Sequence, residues 1–252
     1  MNILVIHSHN ANRGDEAAVK AMVDELLIKY PGAKITISNN GFTPYPGMPE
    51  NVIQIDRFPK LESRIAQLEF FIVLLFKGKF ALTKEARKFI RALKEADVVL
   101  HAPGGPSIGD TYFKAEKLYL WRLNLIRRMG IPYIFYAPSM GPFNCASRNK
   151  LRKEVISGAE RIILRDPISV KYVKDFLPGV EVEQALDSAL QHDIDIDKNE
   201  RKYNNYPELK NFIENHEKCI GITITDLKWH PVHKNEKIIE QIPTAFKAFI
   251  TQ

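Results

Sequence analysis

Histidines, an aspartate and paired glycines gather in this sequence where short apolar runs end. The run at residues 2–6 leads into His7, Ser8, His9 and Asn10, then into Asn12-Arg13-Gly14-Asp15. The run at 98–102 contains His101 and leads into Pro103-Gly104-Gly105-Pro106-Ser107-Ile108-Gly109-Asp110; a third ends in Pro138-Ser139-Met140-Gly141-Pro142-Phe143, and a fourth in Arg165-Asp166. Glycines at such places let backbone N–H groups approach an anion closely. A helix starting there adds a favourable dipole, so phosphate binding is the chemistry this pattern suits. Histidines at the same ends suit proton transfer, and His101 ranks ahead of His7 and His9 because it lies just before the Gly104-Gly105 turn. Each segment also has a purely structural alternative: Gly14-Asp15 as turn and helix cap, Gly104-Gly105 as a strand exit, Gly141-Pro142 as a turn. Neither G-x-G-x-x-G after the first run nor G-x-x-x-x-G-K-[ST] anywhere occurs, which removes support from dinucleotide and P-loop readings.

The elements that must position these residues are legible as an alternation. Short Val/Ile-rich runs stand at 2–6, 34–38, 98–102, 132–137, 161–166 and 180–186, separated by longer helical patterns. Continuous apolar runs of this length are strands buried on both faces, and the alternation makes them βαβ units of a parallel sheet. Helix starts are expected at Asp15, at Thr83, and at Asp166 with Pro167 in the first helical position. The fold class is therefore α/β, a Rossmann-like parallel sheet with flanking helices, in which ligands bind beyond the carboxyl ends of the strands.

Composition narrows the class further. The 252 residues carry 36 Lys+Arg against 30 Asp+Glu, with 45% hydrophobic and 26% charged residues, an ordinary globular balance. The net charge of +6 favours anionic partners, but no reading motif points to nucleic acid. Cys145 and Cys219 lie far apart and outside any metal-ligand spacing, so no metal site is expected and a reducing, cytoplasmic location is. The N-terminus has no basic leader and reads as a first strand. Residues 193–218 are polar and irregular and read as a linker with at most one short helix, closing an N-terminal domain at 1–192. Residues 219–225 form a new strand-like run and 236–250 a helical one, the expected start of a second domain that is incomplete within 219–252. Trp229, His230 and His233 between them read as loop residues.

An ordered series of short motifs resembles the polysaccharide pyruvyl transferase family. It consists of Asn12-Arg13-Gly14-Asp15-Glu16-Ala17, Gly104-Gly105 with Asp110, Gly141-Pro142-Phe143, Leu164-Arg165-Asp166 with Ser169, and Leu186-Asp187-Ser188-Ala189-Leu190. The resemblance implies a GT-B-like architecture and an enzyme that moves a pyruvyl group from phosphoenolpyruvate to a sugar diol. The ketal would form on a cell-surface polysaccharide or its lipid-linked precursor, with phosphoenolpyruvate as donor substrate and no cofactor. It further implies Arg165 as a cationic clamp on the donor and Asp15 as the base or hydrogen-bonding group at the acceptor diol. Asn12, Gly14, Gly104, Gly105 and Ser139 would be substrate-binding; His101, picked out by its place before the Gly104-Gly105 turn, stands beside Asp15 as the second catalytic candidate. The sequence departs from the family in reading Pro103-Gly104-Gly105-Pro106 where three glycines are usual, and in Ser139-Met140 where a Gly-rich stretch is usual. No equivalent of the second domain's Arg/His segment is found before Gln252, so half a site is expected. The alternatives are a nucleotide-sugar glycosyltransferase of GT-B fold and a non-catalytic truncated binding domain.

One segment stands outside that series. Between Arg57 and Lys94 lie ten Lys/Arg against three acids, around the apolar run 68–76, LEFFIVLLF. The run is far short of the roughly 20 residues that span a bilayer. It reads either as a core helix followed by a solvated basic helix, or as a surface for peripheral contact with the anionic leaflet of the inner membrane.

Overall fold

The computed structural model describes residues 1–40, 43–59, 64–191 and 195–219. The chain divides into two compact units, Met1–His192 and Asp193–Gln252. The strand and helix expected at 219–225 and 236–250 lie almost wholly outside the described residues, as do Trp229, His230 and His233.

The first unit is built on β1 (Asn2–Ser8), whose buried run Ile3 to Ser8 is apolar enough to be covered on both faces. It is followed by α1 (Arg13–Lys29), β2 (Lys34–Asn39), β3 (Val52–Asp56), α2 (Arg64–Leu75), α3 (Lys84–Glu95) and β4 (Val98–His101). Then come β5 (Gly104–Ile108), α4 (Phe113–Met129), β6 (Tyr133–Tyr136), β7 (Pro138–Met140), α5 (Ala146–Ser157), β8 (Arg161–Leu164), α6 (Pro167–Phe176) and β9 (Glu183–Gln184), closed by a 3-10 turn at Ser188–Gln191. Seven strands form one sheet in the order β3-β2-β1-β4-β6-β8-β9, and every pairing in it is parallel. This is the expected α/β, Rossmann-like sheet. The order reverses between β1 and β4, which pair from Ile3↔Val98 to Ile6↔His101, and a reversal of this kind opens a crevice at the carboxyl ends.

Alternation along β1 divides the core. Leu4 and Ile6 join α2 to α6 through Phe70, Phe89, Leu123, Phe135 and Val155, while Ile3 and Val5 face α1 through Val19, Met22 and Val23. The one charge inside the run 68–76, Glu69, is turned inward. It accepts the N–H groups of Leu82 and Thr83 at 2.7 Å and the Thr83 hydroxyl at 2.8 Å, fixing the start of α3.

Three expectations need correction. The cap of α1 is Asn12 and not Asp15, because the Asn12 side chain accepts the Gly14 N–H at 2.9 Å. The run 180–186 pairs only at Glu183–Gln184, since β9 is an edge strand held by β8 alone. In the second unit, described on its own, residues 193–218 hold two helices, α7 (Ile196–Asn204) and α8 (Pro207–Glu214), where one at most was expected. A proline at the first position of α8 supplies the separate start.

Candidate functional site

Strands β4 and β6 do not end where their pairing in the large sheet ends. Each runs on into a short strand, β5 and β7, which pair in parallel as a second small sheet at the carboxyl edge. The exits are made by residues of positive φ: His7, the penultimate residue of β1 (φ 62°), Ala137 after β6 (φ 53°) and Gly104, the first residue of β5 (φ 145°). The far ends of β5 and β7 are locked together by Gly109, where a Cβ would stand 2.5 Å from the Gly141 carbonyl oxygen, so only glycine fits. Asp110 braces the same corner, accepting from the N–H groups of Asn144 and Cys145 and from Arg152.

Asp15 and Gly104 meet at this edge. The first turn of α1 places the Asp15 carboxylate over Gly104, so that a Cβ on Gly104 would lie 3.0 Å from Asp15 Oδ1. Burial raises the Asp15 pKa above the ordinary carboxylate value; the Asp187 charge pushes the same way and the Arg165 charge opposes it. Gly105 stands beside the Tyr112 ring, whose Cε2 would be 3.6 Å from an added Cβ. Gly104→Ala combines a strained φ with an intrusion on Asp15. A fall in turnover of at least about tenfold is expected, together with a loss of stability of about 1–3 kcal/mol from the strained backbone, read as turnover of the folded fraction beside a melting curve.

Arg165 is held, not loose. Its Nε donates to Ser139 Oγ at 3.0 Å and its Nη1 to Asp187 Oδ2 at 2.5 Å. Ser139 in turn donates to Asp166 Oδ2 at 2.8 Å. Asp166 caps α6, accepting Ser169 N–H at 2.7 Å and Ser169 hydroxyl at 2.8 Å. Although burial opposes it, these hydrogen bonds from Ser169 and Ser139, with Arg165 nearby, keep the Asp166 carboxyl below its ordinary pKa. Arg165 thus takes Asp187 as its ionic partner, with Ser139 bridging it to the neighbouring Asp166. Arg165 Nη2 forms no hydrogen bond among the described residues, leaving one donor edge of an oriented guanidinium for a ligand. The role of Asp187 is not legible in the sequence beyond its place in the Leu186-Asp187-Ser188 stretch after the last strand. Beside it opens a cavity of about 240 Å³ lined by Tyr136, Ala137, Ile163, Ala185, Leu186 and Ser188.

The histidines form a separate, deeper layer. His101 is buried, with Nδ1 2.8 Å from the Ala102 carbonyl oxygen and Nε2 2.7 Å from Ser107 Oγ. A carbonyl only accepts, so the Nδ1 bears the proton and Nε2 receives the Ser107 hydroxyl proton. His101 therefore reaches the strand edge through Ser107, a residue the sequence reading passed over. The His7 ring packs against His101 at 4.6 Å and Tyr119 at 4.4 Å, and both its nitrogens are buried without a hydrogen-bond partner among the described residues. His9 Nε2 lies 2.7 Å from the Tyr119 hydroxyl. The other expected residues sit at the rim: Asn12 spends its oxygen on the Gly14 N–H, and both are exposed.

Burial lowers the pKa of His101 to about 4 and, with help from the Arg122 and Arg57 charges, that of His9 to about 4; His7 is lowered in the same direction. Unfolded histidine titrates near 6.5. Between those values the unfolded chain takes up protons that the folded one refuses, so stability is lost as pH falls from about 6.5 toward 4. The slope is up to about 1.4 kcal/mol per pH unit for each histidine. The melting temperature should drop clearly between pH 7.5 and 5.5, and less so in His9→Gln; a flat profile would contradict neutral burial of these rings.

A family model described as Polysaccharide pyruvyl transferase matches residues 12–246. No curated protein matches the chain.

Proposed function

Because a match over 12–246 places the chain in the polysaccharide pyruvyl transferase family of enzymes, we propose that it transfers the pyruvyl group of phosphoenolpyruvate to a diol of a sugar in a cell-surface polysaccharide or its lipid-linked precursor. The observation that carries this reading is the juxtaposition of a fixed cation, Arg165, with a carboxyl of raised pKa, Asp15, above Gly104. In the reaction the donor methylene carbon gains a proton and the neighbouring carbon acquires oxocarbenium character. One sugar hydroxyl adds to that carbon; a second displaces phosphate by C–O cleavage. Of the two hydroxyl protons, one balances the proton gained by the methyl group and the other leaves with phosphate.

Each step asks for something this edge can supply. The free edge of Arg165 would hold donor oxygens and stabilise the charge that develops on departing phosphate. Asp15 would accept a hydroxyl proton, a task for which a raised carboxyl pKa is better matched to neutral pH. Ser139 and Asp187 would keep the guanidinium from turning away. His101 would act through Ser107; a hydroxyl attacking an oxocarbenium becomes strongly acidic, so even a weak base suffices.

Calorimetric titration tests the reading. Phosphoenolpyruvate should bind while a nucleoside diphosphate does not, and Asp15→Asn should keep donor binding while lowering turnover by about a hundredfold or more. Tight nucleoside diphosphate binding with no response to phosphoenolpyruvate would replace the proposal with nucleotide-sugar glycosyl transfer.

A further inference from the structure

Helix α2 is apolar on both of its faces. Phe70 and Val73 enter the core with Glu69, while the opposite arc presents Ile65, Leu68, Phe71 and Leu75 at 54–77% exposure. The spacing 65, 68, 71, 75 keeps these four on one stripe. The stripe continues into the loop that follows, where Phe76 and Phe80 pack edge to face at 5.0 Å and remain exposed, as does Leu82 at 65%. Seven large apolar side chains in one stretch of surface exceed the scattered exposure usual for a folded domain.

The surroundings of the stripe are cationic. Arg64, Lys77, Lys79, Lys84, Arg87 and Lys88 are exposed, and none forms an ion pair among the described residues. The acids close by are few: Glu69 is turned inward onto Thr83, and Asp56 and Glu85 share a small cleft with Lys84 and Lys88. No helix of the described residues is long and apolar enough to cross a membrane. A helix with one face in a protein core and a second apolar face rimmed by lysines matches a surface that is oily within and negatively charged at its boundary. A second copy docking through the same stripe would set cations against cations, which the scarcity of nearby acids among the described residues disfavours.

We propose that α2 and the loop from Phe76 to Leu82 seat this protein on an anionic lipid bilayer, with the apolar stripe entering the boundary region and the lysines resting on headgroup phosphates. The surface is independent of Arg165 and Asp15, so it can be tested without donor or acceptor. The full chain is sedimented with vesicles of phosphatidylcholine alone and of phosphatidylcholine mixed with phosphatidylglycerol, at low and high salt. Binding is expected to be at least about tenfold stronger to the anionic vesicles and to weaken with salt. The triple variant Lys77→Gln, Lys79→Gln, Lys84→Gln should weaken it by roughly a hundredfold, each lysine near a charged surface counting for about a factor of five. The double variant Phe71→Ser, Leu75→Ser should weaken binding to anionic vesicles at least about tenfold while leaving the melting curve unchanged, since both side chains are exposed. Equal binding to both vesicle types, no binding to either, or variants that instead abolish a dimer seen by size-exclusion chromatography would overturn the proposal.

Discussion

Arg165→Ala is expected to lower kcat/KM for phosphoenolpyruvate by at least about a hundredfold, and up to a thousandfold, the range for removing one fixed donor from a developing negative charge. The reasoning starts from geometry. Arg165 is tied by Nε to Ser139 and by Nη1 to Asp187, which leaves its third nitrogen as the oriented one. Lysine at this position carries the charge but not the fork, so Arg165→Lys should recover only a small part of the loss. Its ion pair is partly exposed, with side-chain exposures of 25% and 30%. The pair therefore adds little to stability, and the variant should melt within a few degrees of the parent. Phosphate release followed at varied donor concentration, beside a melting curve, checks both halves. A variant with undiminished kcat/KM would remove Arg165 from the chemistry and leave it a brace for the loop at Asp187.

Glu116→Ala should be the most damaging substitution for stability. Glu116 is fully buried and receives four donors: Arg152 Nε at 2.7 Å and Nη2 at 2.9 Å, Arg148 Nη1 at 2.8 Å, and the Gly109 N–H at 2.8 Å. Arg152 is itself fully buried; although burial works against its charge, the hydrogen bonds it donates to Glu116 and Asp110 raise its pKa. Removing the carboxylate strands that guanidinium with Asp110 as its remaining ionic partner, at a cost of about 3–5 kcal/mol. For a unit of this size that corresponds to a fall in melting temperature of about 10 °C. By contrast, Asp175→Ala breaks an exposed pair with Lys171, side chains 73% and 62% exposed, and should cost less than about 1 kcal/mol. Thermal melts of the two variants side by side check the ordering. Activity should fall with Glu116→Ala as well, because Gly109 anchors the β5 end against Gly141.

What the sequence disclosed followed from local physics. The apolar runs of β1, β2, β4, β6 and β8 are inner strands of the sheet, largely buried, and their apolar β-rich content carries the signal. Thr83 and Asp166 read correctly as caps because each bonds an N–H of its own first turn. Helices α4 and α5 gave no such start: neither has a side-chain cap, and the N–H groups before α5 are taken by Asp110 from a distant loop. Strands β5 and β7 were illegible for a similar reason, since Gly-Gly-Pro-Ser-Ile and Pro-Ser-Met have the composition of turns and become strands only by pairing with each other. Strand β3 carries polar Gln54 and Asp56 at the sheet edge, which hides its pattern.

The candidate site divides the same way. The glycines and Asp15 could be found because backbone freedom and helix starts are written locally. The Asp187 partnership with Arg165 and the Ser107 contact with His101 join segments or turn a side chain inward, and neither leaves a mark in spacing. The run 68–76 was open between two readings. In the structure Phe70 and Val73 are core, while Leu68, Phe71 and Leu75 are exposed.

The central claim is that this edge of the sheet moves a three-carbon acid from phosphoenolpyruvate to a diol. The direct test is incubation with phosphoenolpyruvate labelled with 13C at its second carbon, beside a panel of sugars offering neighbouring or 4,6-related hydroxyls, with carbon NMR as the readout. The account predicts that the label moves from an enol carbon to a ketal carbon attached to a new methyl group, with one phosphate released per ketal and at least about a hundredfold slower product formation by the Arg165→Ala variant. Untouched phosphoenolpyruvate together with a glycoside formed from a nucleotide sugar would contradict it.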